Sequence, residues 1–139
     1  MDDPFDLQRF IDAQDPVYPR VVAELRVGAK RTHWMWFVFP QIAGLGASAM
    51  ARRYAISGRA EAAAYAAHPV LGARLRECTA LVNAVEGRSV HEIFGSPDDM
   101  KFHSSMTLFG LCAAEPQPFL EALARHFGGR FDRLTEERL

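Results

Sequence analysis

Thr32-His33-Trp34-Met35-Trp36-Phe37-Val38-Phe39-Pro40 is the stretch on which the fold class turns. It sets five bulky apolar side chains around Met35 with neither clean alternation nor a 3.6-residue period, so a buried strand and a short buried helix both fit it. A strand needs a partner, and the chain shows no other run of alternating β-branched residues. The stretch therefore reads as a helix of two turns, capped by Thr32 and ended before Pro40, because the residue preceding a proline avoids helical backbone. Gln41 to Gly46 then reads as a glycine-containing loop leading into a helix around Ser48 to Ile56.

Outward from this segment every strong local signal is helical. Asp3-Pro4 and Asp15-Pro16 each read as a cap followed by a proline at the first helical position. Val17, Val21, Val22 and Leu25 follow the helical period, and Gly28 suits the C-terminal cap. Ala60 to Ala67 is alanine-rich, and Pro69 opens a helix in which Leu71, Leu75, Cys78, Val82 and Val85 repeat at helical spacing. Ser89-Val90-His91-Glu92 is a capping-box pattern for a short helix closed at Gly95. Asp98 and Asp99 start a helix running to about Ala113. Phe119 to Phe127 and a short tail from Asp132 complete the chain. The expected architecture is all-α, a single domain spanning residues 1–139 and built from about seven to nine short helices.

Composition agrees with a globule. The chain has 139 residues, 49% hydrophobic and 24% charged, enough apolar content for one core and too much for disorder. A formal net charge of -1 supplies no sequence-wide attraction to a phosphate backbone, so nucleic acid is not an expected partner. The acidic start Met1-Asp2-Asp3-Pro4 is unlike a signal peptide, and the apolar run Trp34 to Phe39 is far shorter than a membrane span. A cytoplasmic location without membrane contact is expected. Cys78 and Cys112 stand apart and read as buried reduced thiols.

Phosphate-loop, dinucleotide-fingerprint, zinc-protease and nucleophile-elbow patterns are absent, and the five histidines lack metal-ligand spacing. Neither a metal nor a cofactor is expected. Three places remain where polar side chains could be aimed. The first is Lys30, His33, Trp34, Trp36 and Gln41, in which an indole could stack on a planar ligand and the amide could hydrogen-bond its edge. The second is Tyr54 with His68-Pro69, where the imidazole could cap a helix or act as general base. The third is the helix from Pro97, which sets Asp98, Asp99, Lys101, His103, Ser104, Ser105 and Thr107 within ten positions. Lys101, Ser104, Ser105 and Leu108 recur at i, i+3, i+4 and i+7, so the lysine and both serines share one helix face.

Of 16 basic residues 14 are arginine, and the only lysines are Lys30 and Lys101. One falls in each of the first and third places, which suggests that both face one site, since a compact ammonium offers chemistry that a guanidinium does not.

Together these stretches resemble a known family. Phe5-Asp6-Leu7-Gln8-Arg9-Phe10, Glu24-Leu25-Arg26, Lys30 through Gln41, Gly44-Leu45-Gly46, His68-Pro69-Val70-Leu71-Gly72, Ile93-Phe94-Gly95 and Asp99 through Phe109 are similar to the family called domain of unknown function 1810. Its bacterial members often carry the label calpastatin. The resemblance implies an all-α single domain and carries no activity or substrate. The calpastatin label implies a disordered protease inhibitor, which the periodic apolar content contradicts. His68-Pro69-Val70-Leu71 followed by Asp99 also resembles, faintly, the order of elements in the NADAR family of ADP-ribose-processing proteins.

Two functional expectations follow. One is a small-molecule binder or hydrolase for a nucleotide-like or ADP-ribose-like ligand. Its pocket would lie between His33–Gln41 and Lys101–Thr107, with Lys30, Trp34, Trp36, Gln41, Lys101, Ser104 and Ser105 binding, and His33, His68 and Asp99 as acid/base candidates. The other is a non-catalytic protein-interaction module that presents an outward Trp34/Trp36 surface.

Overall fold

The structure is a computed structural model and describes residues 2–139. Among these residues ten helices follow one another: α1 Gln8–Gln14, α2 Tyr18–Arg26, α3 Met35–Val38, α4 Ala49–Arg53, α5 Arg59–Ala67, α6 Leu71–Ala84, α7 Val90–Phe94, α8 Asp98–Cys112, α9 Gln117–Phe127 and α10 Arg133–Glu137. The all-α bundle agrees with the sequence reading, and its ten helices correct the expected seven to nine. α3, α4, α7 and α10 have only four or five residues each, too few to carry the periodic stripe by which a helix is recognised.

α8 lies at the centre, packed against α5, α7, α9 and α10. Its residues from Ser104 to Phe109 are all buried, as a helix covered on every side requires. Phe102 on α8 meets Phe39 edge-on at 5.0 Å and stacks on Phe94 at 4.9 Å. Lower on the same helix Phe109 packs against Tyr65 of α5, 5.3 Å between ring centroids. These rings join the aromatic segment before Pro40 to one hydrophobic core, where ring pairs add about 1 kcal/mol each beyond their buried area.

Several helix ends differ from expectation for identifiable reasons. Asp3 caps the first helix from further back: its carboxylate accepts the amides of Leu7 and Gln8 at 2.8 and 3.0 Å. Pro4 is therefore not the first helical residue. α2 begins at Tyr18 rather than beside Asp15, with Pro19 in its first turn. α3 is one turn rather than two, and Thr32 does not cap it. The Thr32 hydroxyl donates instead to Glu24 Oε2 at 2.7 Å. α4 stops at Arg53 because Ile56 is drawn into a parallel bridge with Ile42. The Ile56 amide donates to Gln41 O and the Ala43 amide to Ile56 O, both at 2.8 Å. Among the described residues no helix is long and apolar enough to cross a membrane.

Candidate functional site

Glu24, near the end of α2, organises the segment that leads into α3. Its Oε1 accepts the Arg31 amide at 2.8 Å, the Thr32 amide at 3.1 Å and the Trp34 indole N–H at 2.9 Å, while Oε2 takes the Thr32 hydroxyl. Burial pushes this carboxyl up. The four donors outweigh it, and the group is held down at about 2. The backbone from Lys30 to Trp34 is thereby wrapped around one ionised carboxylate, and the Lys30 amide is tied to α7 through Ile93 O at 2.8 Å.

This wrapping aims Lys30 at the start of α8. Its Nζ lies 2.8 Å from Asp98 Oδ2 and 5.2 Å from the centre of the Trp34 ring. One turn into α8, Lys101 Nζ approaches the other oxygen of Asp98 at 3.5 Å and lies 5.0 Å from the Trp36 ring centre. The two lysines thus meet on one carboxylate, each ammonium close to a tryptophan ring.

Two hollows adjoin this cluster and share Trp36, Pro97 and Lys101 as a common wall. One, of about 400 Å³, has Lys30, Arg31, His33, Asp98 and Lys101 around it. The other, of about 350 Å³, is walled by Gln41, Leu45, Met100, Ser104 and Leu134 among others. Met100 and Leu134 stand 68% and 60% exposed at its edge, an apolar rim that a solvated surface does not need. The Ser104 hydroxyl bonds Met100 O and Asp132 Oδ2 at 3.1 and 3.0 Å. Asp132 in turn caps α10 through the Thr135 amide and receives the Thr135 hydroxyl. Ser104 and Asp132 therefore fix α10 as one side of this second hollow.

A family model described as "Protein of unknown function (DUF1810)" matches residues 4–139. The chain belongs to the DUF1810 family. The crystal structure of the conserved hypothetical protein Rv1873 from Mycobacterium tuberculosis, a bacterial protein, is similar to it over nearly its whole length. The two share 59% identity with a TM-score of 0.97, covering 99% of this chain and 98% of the other. No curated protein matches the chain.

In this DUF1810 chain Lys30, His33, Trp36, Gln41, Lys101 and Ser104 line the two adjoining hollows. Trp34 does not. It is 1% exposed, its indole is spent on Glu24, and it can neither stack on a ligand nor present a surface to a partner protein. Asp99 turns away to His91, 3.0 Å from its Nδ1. His68 caps α6, its Nδ1 accepting the amides of Val70 and Leu71 at 3.1 and 3.3 Å. It borders a separate hollow of about 440 Å³ with Arg76 and Ala114. Asp99 lies in the first turn of α8 and Ala114 two residues past its end, so at 1.5 Å per residue they stand about 20 Å apart along the helix axis. His68 and Asp99 share no site. The Arg76 guanidinium beside that hollow is already used by Ala66 O and Glu115 O.

Two residues at the site, Arg31 and Glu24, were not among the sequence candidates, whereas Asp98 was. Asp98 joins the two lysines, Arg31 adds a cation, and Glu24 holds the segment. Only Asp98 carried a usable signal, its i,i+3 spacing to Lys101. No group of three or more His, Cys, Asp or Glu side chains among the described residues comes together as a metal-ligand set.

Ser105 is also not a lining residue. Its hydroxyl is fully buried and has no hydrogen-bond partner, a state that costs about 1–3 kcal/mol. Ser105→Ala removes that cost and improves helix propensity, so we expect a gain of about 1 kcal/mol and a Tm higher by about 3 °C. A lower Tm in thermal unfolding would show that the hydroxyl is needed.

Proposed function

We propose that this chain binds a small nucleotide-like ligand across the two hollows that meet at Trp36 and Lys101. The supporting observation is their complementary character on either side of one wall. A cation-rich hollow beside Lys30, Arg31 and Lys101 adjoins one edged by Leu45, Met100 and Leu134. Ligand pockets of this size are mostly apolar with a few converging polar groups. The Trp36 ring supplies a flat contact, Gln41 and Ser104 supply hydrogen bonds, and the lysines supply charge. An ADP-ribose-like ligand is the longer version of the same chemistry. Should the ligand be hydrolysed, His33 is the acid/base group within reach of it, because His68 and Asp99 stand elsewhere.

The test is thermal-shift screening against nucleotides and NAD-derived metabolites, followed by calorimetric titration of hits. Trp36→Ala and Lys101→Ala are expected to keep the fold and to weaken a hit at least tenfold each. A panel without hits, or hits indifferent to both substitutions, sinks the reading.

A further inference from the structure

We propose that the hollow between Lys30 and Lys101 takes the phosphate of a phosphate monoester, and that Asp98 competes with that phosphate for Lys101. The proposal rests on the ligand-binding reading and names both the ligand's anionic end and the group that tunes its affinity.

The charge around the hollow selects the anion. Lys30, Arg31 and Lys101 are three fixed cations facing one carboxylate, Asp98, with the His33 imidazole alongside. Among the side chains that line the hollow, cations outnumber carboxylates by two. A carboxylate or a phosphodiester brings one negative charge, whereas a phosphate monoester brings close to two at neutral pH together with three acceptor oxygens. Arg31 stands exposed at the rim, where a planar guanidinium can donate to two oxygens of one phosphate.

The two lysines are not equivalent. Lys30 is 7% exposed and contacts Asp98 at 2.8 Å, a full charge-assisted hydrogen bond. Lys101 is 24% exposed and lies 3.5 Å from the same carboxylate, beyond the 2.7–2.9 Å that such a bond prefers. The tight pair is a fixed part of the wall and the loose one is exchangeable. A phosphate oxygen can draw the Lys101 ammonium away from Asp98 while Lys30 stays in place. Because Lys101 stands in the wall common to both hollows, a phosphate held there leaves the organic part of the ester beside Trp36, Met100 and Leu134.

Calorimetric titration with inorganic phosphate, with a nucleoside 5′-monophosphate and with its unphosphorylated nucleoside tests this. The monophosphate is expected to bind at least tenfold more tightly than the nucleoside, and more weakly as salt rises. Asp98→Asn is expected to tighten inorganic phosphate and the monophosphate by about threefold to fivefold, the size of one half-exposed ion pair. Lys101→Met should lose phosphate binding and keep the nucleoside. Phosphate binding that is absent, or equal in the wild-type chain and in Lys101→Met, overturns the proposal, and the latter comparison stands even if Asp98→Asn does not fold. Tight, Trp36-dependent binding of nucleoside with no gain from its phosphate overturns this inference and leaves the broader reading intact. Phosphate held by Lys101 with no affinity for any ring compound does the reverse.

Discussion

Glu24→Ala should cost about 4 kcal/mol of stability, lowering Tm by about 12 °C, and should loosen the segment that carries Lys30 and Trp36. The substitution leaves the Arg31 and Thr32 amides, the Thr32 hydroxyl and the buried Trp34 indole without their acceptor. Each unpaired buried donor costs about 1–3 kcal/mol, reduced where water can reach it. Acid should reproduce part of this loss in the unmodified chain. A folded-state carboxyl at about 2 against an ordinary 4.5 contributes about 3 kcal/mol, fully present above pH 4.5 and lost as pH falls towards 2. Glu24→Gln cannot titrate there, so its stability should fall less steeply over that window. Denaturant unfolding of both proteins between pH 2 and 6 measures the difference. Parallel curves would mean that Glu24 does not hold the segment as an ion. Weaker ligand binding in Glu24→Ala at a temperature where it remains folded would tie this carboxylate to the geometry of Lys30.

The part of this arrangement legible in the sequence was the part decided within a few residues. Ser89 and Glu92 form their reciprocal cap, and Ser48 caps α4. Gly28, Gly95 and Gly128 sit at helix ends with φ of 72°, 73° and 63°, backbone that favours glycine. Thr32 misled for a physical reason. It has the chemistry of a cap, but a carboxylate eight positions earlier competes for the hydroxyl and wins because it satisfies three other donors at once. The same carboxylate removes Trp34 from the candidate site, since an indole bonded to a buried group cannot also face a ligand. Pattern could suggest that two lysines share a site, but not that a carboxylate lies between them, because their meeting depends on how α7 and the Lys30 segment dock on α8. The separation of His68 from Asp99 is of the same kind. It depends on the α5–α6 turn packing beside Ala114 at the far end of α8, a placement that no local pattern carries.

Gly72→Ala should destabilise the protein by about 2–3 kcal/mol, the reverse of what the same change does in an exposed helix, where it gains about 1 kcal/mol. Gly72 lies in the first turn of α6, where that helix passes the end of α5. A methyl group there would stand 2.1 Å from Ala66 O and 2.9 Å from its carbonyl carbon. These atoms cannot swing aside as a side chain can. Ala66 O is held by the Arg76 guanidinium at 2.8 Å, and the Gly72 amide is held by His68 O at 2.8 Å. Relief requires α5 and α6 to separate, which also pulls His68 off the amides it caps. Gly110, inside α8, provides the matched comparison. A methyl group there meets Leu120 Cδ2 at 3.3 Å and Leu123 Cδ1 at 3.5 Å, flexible side-chain ends that can yield, so Gly110→Ala should lie within about 1 kcal/mol of neutral. Thermal unfolding should therefore place Gly72→Ala about 8 °C below the unmodified chain and Gly110→Ala close to it. Equal effects would show that helix propensity outweighs the contact at Ala66. Binding at Trp36 and Lys101 should be unchanged in folded Gly72→Ala, because the α5–α6 turn borders the hollow at the other end of α8.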